Sequence, residues 1–535
     1  MTRLLLTALA VVAAAGCDPT VRFADRAILW HWPDDRPVPK PKTRRLGIFS
    51  ESTRDAVFAP ADRVLGLDYL VEARNTNALD EVPDSAWFHD PRRVDGQPRP
   101  RQLGPDEMVL GACGPEDAPL LPLTVTDGKT IGATPGFVAK DARGVKYLVK
   151  LDPKNHLGLT TQTELVVNRL AWASGWLVPA LSIVDVDESQ LLVGDQARLK
   201  DQYGHKRAYT RADLEALLDR VPRTSDGRIR LLASRWLPGE AIGEFAYQGR
   251  VADDANDLVE HEDRRDLRGF GAFAAWVNDV DTLQNNTLDM YVGEPGRGHV
   301  VHYQQDLGGS FGNFAGVVEA YWIGTETYWD TRLIVASLLS LGLSPRSWDD
   351  GRLRAYKEGV AGAWPELGGF EASRFEPRTW EPVIENAAFA RQTRRDRYWG
   401  AKRVAAFNAE EVRVAIGAAR YRPAAAAHLF DVLWERRRRL ARAAFAETTA
   451  LDHFALRGRT LCFDDLWIDA GLGGAAVYHA SEGTLRDRCV TLDARGGYRV
   501  VALSVQRSGE RHPSLPVRVH LVMSADGGHI VGVER

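Results

Sequence analysis

Five polar residues carry the types and spacing that phosphoryl chemistry uses. Asp281 and Asn286 stand five residues apart within Asn278-Asp279-Val280-Asp281-Thr282-Leu283-Gln284-Asn285-Asn286, and Asp306 opens Asp306-Leu307-Gly308 further on. A carboxylate beside an attacking hydroxyl takes its proton, while oxygen ligands from an amide and a second carboxylate hold Mg²⁺ on the phosphates. The glycine lets the backbone turn sharply beside such a metal. Upstream, Lys150 in Tyr147-Leu148-Val149-Lys150 offers a cation for the phosphates, and Glu164, fourteen residues later, offers the acid that orients it. The turn Gly132-Ala133-Thr134-Pro135-Gly136-Phe137 brings two glycines, Gly132 and Gly136, whose backbone N–H groups suit a cover over phosphates.

The elements that must place these residues follow from pattern. Phe137 to Asp141 and Lys146 to Asp152 are β-prone runs around Ala142-Arg143-Gly144-Val145, the signature of a hairpin. Thr161 to Ser174 is apolar at Leu165, Val166, Leu170 and Ala171 and is closed by Gly175 with Pro179 beyond, which predicts an amphipathic helix. Strands are predicted at Leu181 to Val186, Gln190 to Val193, Ile229 to Trp236 and Val300 to Tyr303. After Pro238-Gly239 a helix is predicted over about Glu262 to Val277, and helical text then runs to about 448. Phe463 to Ile468, Tyr498 to Gln506 and Val517 to Met523 predict a small antiparallel β unit.

This order of parts resembles the protein-kinase-like superfamily, specifically its divergent HipA-type, spore-coat and secretory-pathway branches, over residues 123 to 445. The resemblance implies an α+β fold of two lobes, a β-rich lobe at 123–240 and a helical lobe at 241–450. It implies nucleotide between them, with ATP and Mg²⁺ as cofactors. It also implies Asp281 as base, Asn286 and Asp306 as metal ligands, and Lys150 on the phosphates beside Glu164. The chain departs from ordinary protein kinases in having Asn278-Asp279-Val280 where His-Arg-Asp begins the catalytic loop, so Asp279 rivals Asp281 as the base. No Ala-Pro-Glu follows Asp306-Leu307-Gly308, which puts a protein substrate in doubt.

Several of these residues also have plain structural readings. Asn278 to Asn286 is rich in turn formers, Lys150 suits a solvated strand position, and Thr161-Gln162-Thr163-Glu164 is a capping box. His299 and His302 lack a third nitrogen or sulfur ligand for zinc, and His261-Glu262 lacks the second histidine of a zinc-protease helix. Arg264, Arg265 and Arg268 are expected to pair with Glu260, Glu262, Asp263 and Asp266. Arg436 to Arg439, inside a helical pattern from near Ala424, is expected to form a solvated face.

The 535 residues, 44% hydrophobic and 26% charged with net charge −4, exclude fibrous and wholly disordered classes and argue against a nucleic-acid partner. Arg3 followed by the apolar run Leu4 to Ala15 predicts a signal peptide over 1–16, and Ala14-Ala15-Gly16-Cys17 resembles a bacterial lipobox, which implies lipidation of Cys17. Pro33 to Arg45 has the composition of an extended spacer, so 17–45 is expected to be a tether to the cell envelope. Residues 46–122 show no clear period, and 451–535 holds the β unit. Leu333 to Leu343 is too short to span a membrane and is expected as a core helix. Cys462 and Cys489 share one segment and can pair, leaving Cys113. These features together lead to a membrane-tethered phosphotransferase acting on an unknown hydroxyl. The rival readings are an inactive kinase-like scaffold with an envelope protein partner, and nucleotidyl transfer at the same site.

Overall fold

The computed structural model describes residues 21–44, 71–94, 99–129, 134–200, 205–314, 316–318, 324, 327, 330–344, 364 and 366–535. A short helix α1 (Pro105–Leu110) precedes β1 (Leu123–Gly128), β2 (Gly136–Lys140) and β3 (Lys146–Leu151). Helix α2 (Thr161–Ser174), β4 (Leu181–Val186), β5 (Leu191–Lys200), β6 (Lys206–Ala208), α3 (Arg211–Leu218) and β7 (Ile229–Arg235) follow. These strands form one sheet in the order β4-β7-β3-β2-β1-β5-β6, antiparallel except where β1 meets β5. Leu214 and Leu218 of α3 join the apolar residues of this sheet in one core. Helix α2 is buried along its length apart from Trp172 and packs on β4 and β7. Its apolar face merges with the second core described next.

That second core is helical. After β8 (Glu240–Gly243) come α4 (Arg265–Val277), β9 (Thr287–Val292), β10 (His299–Gln304), β11 (Asn313–Phe314), β12 (Val317–Val318) and α5 (Thr331–Leu339). They are followed by α6 (Ala387–Ala390), α7 (Arg394–Ala405), α8 (Ala409–Ala418) and α9 (Pro423–Glu447). Every residue of α4 is buried, and it crosses α7 so closely that a Cβ on Gly400 would stand 2.5 Å from the Gly269 carbonyl oxygen. Two glycines let the backbones meet there. Strands β8, β9 and β10 form a small antiparallel sheet that leads the chain toward Asp306.

The tail holds β13 (Leu451–Arg457), β14 (Thr460–Asp465), α10 (Leu466–Asp469), β15 (Ala476–Ala480), β16 (Thr484–Arg486), β17 (Cys489–Thr491), β18 (Gly497–Arg507), β19 (Val517–Ser524) and β20 (Gly527–Glu534). Two four-stranded antiparallel sheets, β13-β14-β17-β16 and β15-β18-β19-β20, enclose their own apolar core. Cys462 and Cys489 face each other across β14 and β17 and form a disulfide. The chain is therefore a mixed α+β protein with several sheets.

Two expectations change. Pro33 to Arg44 forms no helix, but it lies against the body. The Val38 N–H donates to Gly298 O at 2.8 Å, Asp34 accepts from the Ala86 N–H at 2.9 Å, and Arg44 pairs with Asp289. This stretch is a packed arm rather than a free tether. Helix α5 and the turn after it are also not core: Leu338, Leu339, Leu341 and Leu343 are all exposed, Leu341 at 92%. Among the described residues no helix is long and apolar enough to cross a membrane.

Segments distant in sequence are joined by buried charges. Arg265 pairs with Asp80 at 2.7 Å and Asp396 at 2.8 Å, Arg92 with Glu411 at 2.7 Å, and Arg535 with Asp452 at 2.9 Å. The cluster expected at α4 is real, but its partners are partly elsewhere. Arg264 takes Asp266 and Arg268 takes Asp263, whereas Arg265 reaches across the molecule.

Candidate functional site

Lys150 sits on β3, opposite Gly136 of β2 and Leu232 of β7. It is only 5% exposed, so it is not a solvated strand lysine. Its Nζ donates to both Glu164 carboxylate oxygens at 2.8 Å and to Asp306 Oδ1 at 2.7 Å. Glu164 therefore faces the strand and does not close a capping box. Asp152, two residues beyond Lys150, holds the start of α2 in its place. Its carboxylate accepts from the N–H groups of Gly158, Thr160 and Thr161 at 2.8, 3.0 and 2.9 Å, and from Thr161 Oγ1 at 2.8 Å. Helix starts leave N–H groups without partners, and this buried acid takes those of Thr160 and Thr161 at the start of α2, tying it to the end of β3.

The Asp281 loop leaves the end of α4, where Asn278 takes the left-handed conformation (φ 56°) that asparagine tolerates at a helix C-terminus. Trp380 Nε1 donates to Asn278 Oδ1 at 2.9 Å, the Val383 N–H to Val280 O at 3.0 Å, and Asn386 Nδ2 to Thr282 O at 3.0 Å. Inside the loop, Asn286 Nδ2 donates to Asp281 O at 2.6 Å. The Asp306 turn lies directly on this loop. The Val280 N–H donates to Gly309 O at 3.0 Å, and a Cβ on Gly309 would come within 2.7 Å of the Asp281 Cβ. Asp306 itself has φ 54°, an uncommon conformation for a non-glycine residue and one found repeatedly at functional sites. Lys150, Glu164, Asp306, Asp281 and Asn286 are thus brought to one place.

Charge separates their roles. Burial pushes the Glu164 carboxyl above its usual range and Asp306 raises it further, although Lys150 opposes both. Asp306 is also affected by burial, but Lys150 outweighs it and holds that carboxyl below the ordinary value. Burial likewise acts to lower Lys150, and the two carboxylates overcome it and keep the amine charged. Asp279 is buried, its Oδ1 has no hydrogen-bond partner among the described residues, and burial together with Asp281 pushes its carboxyl far up. Asp281 is half-buried, and burial raises it to about 6 against the pull of Asn286 and Lys150. Of the two rivals, Asp281 is the one that solvent reaches and that ionises near neutral pH.

The residues present suit a magnesium ion shared with phosphates. Among the described residues no group of three His, Cys, Asp or Glu is placed to hold a metal alone. Mg²⁺ commonly takes one or two protein carboxylates and completes its shell with phosphate oxygens and water. Asp306 keeps 47% of its side-chain surface open, and Lys150 occupies only its Oδ1. The Asn286 amide nitrogen is committed to the Asp281 carbonyl, so its oxygen is the atom a metal would take.

Gly136 begins β2 and has a packing reason to be glycine: a Cβ there would stand 2.2 Å from Val149 O. Gly132 and Cys17 lie outside the described residues. The Asp289 carboxylate accepts from His302 Nδ1 at 2.6 Å and the imidazole stacks on Trp87, while His261 pairs with Asp257 at 2.9 Å, so both are structural. Sequence reasoning missed Lys129, which feels Lys150, Asp306 and Glu164 and donates to Thr134 O at 2.8 Å. It also misread α9. Arg438 and Arg439 do pair on the surface with Glu435, but Arg436 is buried and grips Ala275 O at 2.6 Å and Trp276 O at 2.8 Å at the end of α4. A cation at a helix C-terminus meets the negative end of the dipole, so Arg436 anchors the helix that delivers the Asp281 loop. Comparison of the chain with protein-family models, curated proteins and solved structures finds no match.

Proposed function

We propose that this chain is a kinase-like phosphotransferase that uses Mg-ATP to modify a hydroxyl. The observation that carries the reading is the buried contact of Lys150 with Glu164 and Asp306, beside a loop bearing Asp281 and Asn286. Kinase catalysis needs a third-strand lysine paired to a helix glutamate, an Asp-x-Gly carboxylate and a loop Asn on metal, and a loop Asp near the acceptor. In this reading the seven-stranded sheet with α2 and the helical body are the two lobes. Magnesium, when bound, neutralises charge on the transferring phosphoryl group. Asp306 and Asn286 hold it, Lys150 positions phosphate oxygens, Glu164 holds Lys150 in place, and Asp281 accepts the hydroxyl proton. Signal-peptide removal, lipidation of Cys17 and placement in the bacterial cell envelope belong to the same proposal and rest on residues 1–17. Incorporation of labelled palmitate, lost in Cys17→Ser, tests them.

Titration of the mature protein with ATP, with and without Mg²⁺, tests the nucleotide site. Expected is metal-dependent binding and thermal stabilisation in the wild type that Asp306→Ala removes. No binding by either protein at millimolar ATP defeats the phosphotransferase reading in favour of a non-catalytic scaffold. If binding occurs, the mass added to an acceptor separates phosphoryl from nucleotidyl transfer.

A further inference from the structure

A cavity of about 520 Å³ lies far along the chain from Lys150, where residues 81–93 and 99–102, the α7–α8 junction, α9 and the β unit converge. This is the size of a small-molecule pocket. Its walls include Trp30, Phe407 and Trp434, and an unusual number of charged groups. Most of those charges are already matched. Arg99 and His453 share Asp464, Arg403 takes Asp90, Lys402 takes Glu81, and Arg93 takes Asp84.

Arg437 differs. It is 3% exposed, its Nη1 donates to Ala470 O at 3.2 Å and its Nη2 to Ala405 O, and its Nε has no partner among the described residues. Neither acceptor is an anion. Glu411, the acid that acts on it at longer range, is committed to Arg92 through both carboxylate oxygens. Its guanidinium stands 4.4 Å from the centre of the Trp434 ring. Burial pushes Arg437 down to about 10, which still leaves it charged at neutral pH. A buried guanidinium without a counter-charge is costly, and here it borders a cavity with aromatic walls.

We infer that this cavity binds a small organic monoanion with a flat apolar body, its acid group on Arg437 and its body among Trp30, Phe407 and Trp434. The inference is independent of the Lys150 site. It is tested on the full mature chain by calorimetric titration with 1-naphthoate, with the neutral isostere 1-naphthalenemethanol and with inorganic phosphate. A charge-assisted contact to a buried guanidinium predicts at least about tenfold tighter binding of naphthoate than of the alcohol. Phosphate alone binds weakly because it leaves the apolar walls uncovered. Arg437→Met removes the preference for the acid. Ala409→Trp, which fills the cavity from its wall while keeping Arg437, removes binding altogether and stands in should Arg437→Met fail to fold. Equal binding of acid and alcohol, no naphthoate binding at millimolar concentration, or naphthoate binding that survives Ala409→Trp each overturns the inference.

Discussion

Replacing Lys150 with methionine takes one cation from between two carboxylates. Glu164 is 3% exposed and loses the one cation that touches it among the described residues, whereas the open half of Asp306 can turn to water. Removing one member of a buried pair costs about 3–5 kcal/mol, and most of it here falls on Glu164. The sign of the pH dependence follows from burial. Glu164 already has a raised pKa in the folded protein, and without Lys150 it rises further. A raised acid favours folding below its unfolded pKa, and that advantage is lost as pH climbs through the folded value. The deficit of Lys150→Met is therefore largest at neutral pH and shrinks toward pH ~4.5, near the unfolded pKa. Urea unfolding followed by tryptophan fluorescence at several pH values measures it. Adding Glu164→Gln to Lys150→Met should recover at least about half the loss, because both ends of the pair are then neutral. A Lys150→Met protein within about 0.5 kcal/mol of wild type at neutral pH, the range of ordinary surface substitutions, would refute the buried pair.

Three further outcomes are expected. With Asp281 as base, phosphoryl transfer falls as pH drops through about 6, since the buried carboxyl must be ionised to accept a proton; a limb near the ordinary carboxylate value of 3.8 in the pH–rate profile contradicts this. Arg436→Gln leaves the α4 carbonyls poorly capped, costs about 2–3 kcal/mol, and lowers kcat with little change in ATP KM, while Arg436→Lys restores part of kcat; a stability loss without a kcat effect denies it a positioning role. Reducing the Cys462–Cys489 bond, whose separation is 27 residues, destabilises the β unit by about 3.5 kcal/mol on loop entropy. Differential thermal melting with and without reductant reads that loss.

The parts of the site that local pattern controls were legible in the sequence. The helix from Thr161 to Ser174 begins and ends where its pattern and Gly175 place it, and Lys150 and Glu164 meet because a hairpin and that helix are sequential neighbours. The Cys462–Cys489 pairing was legible for the same reason of proximity. What escaped depends on distant chain. Asp152 looks like any strand-end acid until its four donors are seen. Trp380, Val383 and Asn386 reach the Asp281 loop from about a hundred residues away, and no period announces them. The run Arg436 to Arg439 resembles a wet face because charge usually marks solvent, but α9 is covered on two sides, so consecutive arginines divide between interior and surface. Leu333 to Leu343 fails in the opposite direction, since apolar composition alone cannot say whether a partner covers it.

The buried pairs that cross the molecule also bear on how it can be divided or recombined. Asp80 answers Arg265 and Arg395, and Asp452 answers Lys402, so acids from the N-terminal region and the β unit neutralise bases rooted in the helical body. Cutting at 122/123 or 450/451 strands those bases in an apolar interior. Grafting a foreign β unit onto the body does the same unless an acid comes with it at the place of Asp452. The chain behaves as one heritable unit despite its several sheets, and its segments are not interchangeable modules.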